Sequence, residues 1–84
     1  MIDPNNVQTK KDFLDFIYAL VDDYEINKNE PYQWENNTIN LYLAALAGWV
    51  EDMEGAYKFK NEQVPENVNW NVIARMLAAA TDYE

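Results

Sequence analysis

Carboxylates are the only chemically versatile side chains this chain carries in quantity: fifteen Asp and Glu stand against six Lys and Arg, for a formal net charge of −9. Their usual catalytic companions are missing, because the sequence contains no His, no Cys and no Ser. That removes the imidazole of general acid–base catalysis and the activated thiol or serine hydroxyl of covalent catalysis. Thr9, Thr38 and Thr81 read as a helix cap, a helix start and a helix-terminal residue. Paired carboxylates alone can hydrolyse glycosides. A chain of 84 residues, however, has little material for both a core and a pocket of several hundred Å³. The expectation is a protein that is not an enzyme and needs no cofactor.

A metal site is the next use for clustered acids. Aligned on Asp23, a calcium-binding EF-hand loop has the oxygen-bearing Asp23, Glu25 and Asn27 at its first three ligand positions. The match then fails, because Lys28 stands where the loop needs glycine and Trp34 where it needs a bidentate Glu. Glu51, Asp52 and Glu54 follow no closed ligand spacing. The two glycines of the chain rule out a glycine-rich phosphate cradle.

What remains for the acids is the surface. Six cations are too few for the phosphate contacts of direct nucleic-acid binding. An acidic face does complement a basic protein, steering its approach and selecting its sign. The candidate contacts are Asp12, Asp15, Asp22 and Asp23 on the first helix, Glu51, Asp52 and Glu54 at the end of the second, and Trp34 in the loop between them. Tryptophan is a favoured anchor at interfaces. The other reading of the acid excess is solubility alone.

Three helices must position these residues. Thr9 caps the first, with Asp12 three residues on as a capping-box partner. Phe13, Phe16, Ile17, Leu20, Val21 and Tyr24 repeat at helical spacing as its buried stripe, and the four aspartates fall on the opposite side. Pro31 breaks the chain before Trp34, and Asn36 or Asn37 caps the second helix. There Ile39, Tyr42, Leu43, Leu46, Trp49, Val50 and Met53 form the expected core stripe. Its reverse side, Leu41, Ala44, Ala45, Ala47 and Gly48, is small and nearly uncharged, suiting close packing or self-association. Gly55 suits the helix end, leaving Glu51, Asp52 and Glu54 in a last turn where they oppose the macrodipole. Residues 56–68 read as a long connection, with Tyr57 and Phe59 tucked onto the core and Tyr57–Lys60 as either a short helical turn or an extended piece. Asn69 caps a third helix carrying Trp70, Val72, Ile73, Met76, Leu77, Ala80 and Tyr83. That helix should fray where Asp82 and Glu84 close it.

No run shows strand alternation, no apolar stretch reaches membrane-spanning length, and the N-terminus has no signal-peptide pattern. The expectation is an all-α, compact, single domain over residues 1–84, cytoplasmic, of three helices or four with the extra turn, centred on the second helix.

The run Trp34-Glu35-Asn36, Ile39, Tyr42-Leu43, Ala45-Leu46-Ala47, Trp49, Asp52-Met53 and Gly55, with Pro65-Glu66-Asn67, Trp70 and Ala79-Ala80…Tyr83-Glu84, resembles a family of small, acidic, uncharacterised bacterial domains. The family implies no activity and no catalytic residues. In character it is similar to toxin-immunity proteins and to phage inhibitors of host defence nucleases, including anti-CRISPR nucleic-acid mimics. The leading expectation is therefore a protein-binding inhibitor, monomeric or homodimeric, whose acids engage a nuclease or another nucleic-acid-binding complex. The alternative is an assembly module that self-associates through the small-residue face of the second helix.

Overall fold

Thr9 starts the first helix as its spacing to Asp12 requires. Its side chain accepts a hydrogen bond from the Asp12 amide at 3.1 Å, and the Asp12 carboxylate accepts in turn from the amides of Thr9 and Gln8. The computed structural model describes residues 3–30 and 33–83. It contains three α-helices: α1 (Lys10–Asn27), α2 (Ile39–Phe59) and α3 (Trp70–Ala79). No strand occurs among the described residues. The roles expected of Pro31 and Glu84 lie outside them.

The order of packing differs from the expected one. The shortest helix, α3, packs on both α1 and α2, whereas no backbone-level contact joins α1 to α2. The domain is therefore centred on α3, not on the second helix. Alanine explains why: Ala74 and Ala78 of α3, and Ala80 just beyond it, are buried, and their small side chains let two helices approach one short one closely. The core joins them to Phe16 and Leu20 of α1, to Val7 and to Trp34, with Phe13, Ile17, Tyr24, Tyr42 and Leu77 packed around.

Three boundaries of the reading change. Gly55 does not end α2, which runs another turn to Phe59. The chain instead turns at Asn61, the described non-glycine residue with a left-handed φ of 58°. The amides of Asn61 and Glu62 reach back to the carbonyls of Lys58 and Tyr57 at 3.0 and 2.9 Å, a Schellman ending with asparagine in the glycine position. Tyr57 is consequently a buried helix residue, while Phe59, expected on the core, is 90% exposed. Thr38 occupies the N-cap of α2, without a side-chain capping bond. Asn36, freed from that task, binds the far end of the chain. Its side-chain amide donates to the carbonyls of Ala80 and Tyr83 at 3.0 and 2.9 Å, and its backbone N–H to that of Thr81. With Thr81 itself buried, residues 80–83 are anchored rather than frayed. Asn69 caps α3 as expected, accepting from the Val72 amide.

Candidate partner-binding surface

The eight residues expected to meet a partner separate into two groups. Four are committed within the fold. Asp12 is occupied by the capping box, and hydrogen bonds from the Gln8 and Thr9 amides hold its carboxyl below the ordinary value of 3.8. Asp23 accepts from Trp34 Nε1 at 2.8 Å and from Asn27 Nδ2 at 3.0 Å. Trp34 is buried, edge-on to Tyr24 and stacked on Tyr42 with ring centroids 5.0 and 5.9 Å away. It is a core anchor, and the expectation of an accessible interface tryptophan is corrected. Trp70 is the more exposed tryptophan, at 38%, and lies against Phe13. Asp52 accepts from the Tyr83 hydroxyl, and that bond raises the tyrosine pKa above its ordinary value.

The other four are open to a partner. Asp15, Asp22, Glu51 and Glu54 are all exposed. Asp15 alone of them has a described ion-pair partner, Lys11 one turn away at 3.1 Å. They form two separate groups, one on α1 and one on α2. The α2 acids are not at an unfavourable helix end: the helix continues past them, and its last turn carries Lys58. Two more ion pairs occur among the described residues, Lys28–Glu25 at 3.4 Å and the two-pronged Arg75–Glu62. The Arg75 fork holds the Glu62 carboxyl below its usual range. Three pairs leave most of the described carboxylates without a cation partner.

The small-residue side of α2 is divided. Ala45 is buried, and Gly48 lies under the Tyr83 ring, where a Cβ would meet it at 3.5 Å. Leu41, Ala44 and Ala47 remain exposed.

Sequence reasoning missed the apolar part of the surface. Ile39, Leu43 and Val50 of α2 and Val21 of α1, all expected in the core stripes, are exposed, as are Leu14 and Tyr18 of α1. Because α1 and α2 stand apart, a cleft of about 390 Å³ opens between them, walled by Ile17 and Val21 on one side and by Ile39 and Tyr42 on the other. Trp34 lies at this cleft with one face in the core. The signal was present but ambiguous: α2 is apolar nearly all round, so periodicity could not choose which side would pack.

Fold and surface together define a small acidic three-helix domain, with two groups of exposed carboxylates and an open apolar cleft. The chain belongs to a family of unknown function (DUF7660), whose model matches residues 9–84. The match takes in all three helices, a wider span than the pattern over residues 34–84. No curated protein and no solved structure matches the chain. No helix is long and apolar enough to cross a membrane among the described residues.

Proposed function

We propose that this protein is a non-enzymatic, protein-binding inhibitor acting in the cytoplasm, whose acidic surface engages a basic nucleic-acid-handling protein such as a nuclease. One observation carries the reading: exposed Asp15, Asp22, Glu51 and Glu54 stand on two helices in a chain of net charge −9, with few cations beside them. Charge of one sign held on rigid helices complements a surface of the other sign, and proteins that handle nucleic acids carry such basic patches. In one form, of phage anti-defence or anti-CRISPR type, the carboxylates take the places of phosphates in the partner's nucleic-acid channel. In the other the domain caps a bacterial toxin as its immunity protein.

Affinity capture from a lysate of the native host, at low and at high salt, tests this. The expected result is enrichment of a basic nuclease or nucleic-acid-binding protein that is lost at high salt, because exposed charges are screened over about 10 Å at ~0.1 M. Capture that ignores salt overturns it. The genes beside this one choose between the two forms, a toxin gene marking the immunity protein and a phage operon the anti-defence protein.

A further inference from the structure

Two of the large apolar side chains left in solvent, Val21 and Ile39, line one cleft, and others continue along the same sides of their helices. On α2, Ile39, Leu43 and Val50 stand four and seven residues apart, hence on one side of the helix, and Ile39 is 72% exposed. On α1, Leu14, Tyr18 and Val21 share a side in the same way, and Val21 is 54% exposed. Val21 and Ile39 face each other across the cleft between the helices. Scattered exposed leucines need no explanation, but apolar flanks converging on a concave gap mark a binding surface. Its volume of about 390 Å³ falls in the range of ligand-holding clefts (~300–1,000 Å³).

The rims carry acids. At 100° per residue, Glu25 and Asp22 follow Val21 and Tyr18 round α1 towards solvent. Exposed Glu35 adjoins Trp34, which lines the cleft. Of the cations on these flanks, Lys28 is held by Glu25 at 3.4 Å and lies over the Tyr24 ring. Lys10 and Lys58 stand at helix ends. A second copy of this chain would bring a further −9 against the first, so the rims favour a cationic occupant.

We infer that the cleft between α1 and α2 receives an amphipathic helix of the partner, with an apolar stripe at i, i+3/i+4 and i+7 flanked by Lys and Arg. This rests on the basic partner proposed above and specifies how it is gripped. The stripe fills the gap between Val21 and Ile39, as in other helix-in-groove complexes. Asp22 and Glu35 meet the flanking cations and reject an acidic helix.

Two synthetic helical peptides with one apolar stripe, one flanked by Lys and the other by Glu, test the inference by NMR titration of the full chain. The Lys-flanked peptide should shift the amides of Ile17, Val21 and Ile39. The Glu-flanked one should bind about tenfold more weakly, the sum of the two rim charge pairs. Val21→Glu and Ile39→Glu, both at solvent-exposed positions, should each abolish binding while leaving the helical circular dichroism unchanged. Equal affinity for the two peptides, no binding of either, or shifts mapping away from the cleft overturns the inference. So does a concentration-dependent dimer in sedimentation that Ile39→Glu dissociates, since a second copy then fills the cleft. If the Lys-flanked peptide leaves the cleft silent while a basic partner is still captured in a salt-sensitive way, this inference falls and the proposed function stands. If the peptide binds but no basic partner is captured, the proposed function is the part that falls.

Discussion

Trp34 donates its indole N–H to the Asp23 carboxylate at 2.8 Å, fastening the loop after α1 onto the last turns of that helix. The same ring is edge-on to Tyr24 and stacked on Tyr42, so one side chain joins α1, the loop and the start of α2. Two residues whose types suggest an interface are in this way spent on the fold. Trp34→Ala should lower unfolding stability by roughly 3–5 kcal/mol, the usual cost of removing a core aromatic. Asp23→Asn, which keeps an acceptor for the indole, should cost much less. Urea unfolding monitored by circular dichroism measures both, and a Trp34→Ala protein of near wild-type stability would contradict the assignment.

Gly55 lies inside α2, and a Cβ added there meets nothing within 4 Å. Gly55→Ala should therefore stabilise the protein by about 0.5–1 kcal/mol, the helix preference of alanine over glycine. Destabilisation on thermal melting would mean that the helix ends at Gly55 after all.

Ala45→Arg should unfold or strongly destabilise the domain, because a charged side chain would be driven into buried space. Ala44→Arg, on the exposed side of the same helix, should be tolerated. A folded Ala45→Arg protein that merely changes from dimer to monomer in sedimentation would restore self-association through this face.

The stability of the domain should fall away at both extremes of pH. Asp12 is held below its ordinary 3.8 chiefly by the Gln8 amide, and Glu62 below its ordinary 4.5 chiefly by Arg75. Groups with lowered folded pKa values stabilise the fold above their ordinary values and cease to as pH falls through the lowered ones. On the alkaline side, burial pushes the Tyr42 phenol from 10.0 up to about 12, and its neutral hydroxyl donates to the Leu77 carbonyl at 2.7 Å. That contribution is complete below pH 10.0 and is lost as pH rises to about 12. Tyrosinate absorbance should show a late phase coincident with loss of helix, and Tyr42→Phe should remove that phase. Wild-type helix that persists unchanged past the ionisation of every tyrosine would contradict this.

Elements set by local rules were legible in the sequence. The capping box of Thr9 and Asp12, the Asn69 cap and the inward stripe of Phe16 and Leu20 follow from spacing alone, and so did the all-α class. What was not legible depends on competition between distant groups. Asn36 is as good a cap as Thr38 until the carbonyls of Ala80 and Tyr83 claim its amide. Gly55 reads as a helix end because the sequence before Asn61 offers no other glycine nearby, yet asparagine can take the left-handed position. The core side of α2 was misread: the stripe through Ile39 and the side of Ala45 are both apolar, and Ala45 is the one that is buried. The same ambiguity hid the cleft. For the candidate contacts, the acidic face of α1 was readable, but which of its acids were already occupied was not.

The central claim is that exposed carboxylates on α1 and α2 hold a basic partner. The most direct test is titration of the captured partner with wild-type protein and with Asp15→Asn/Asp22→Asn/Glu51→Gln/Glu54→Gln, across a range of salt. All four positions are exposed, so the variant should keep its fold. The account predicts weaker binding by the variant at low salt, a shallower salt dependence, and convergence of the two proteins at high salt. Identical affinities and identical salt slopes for the two proteins would contradict it.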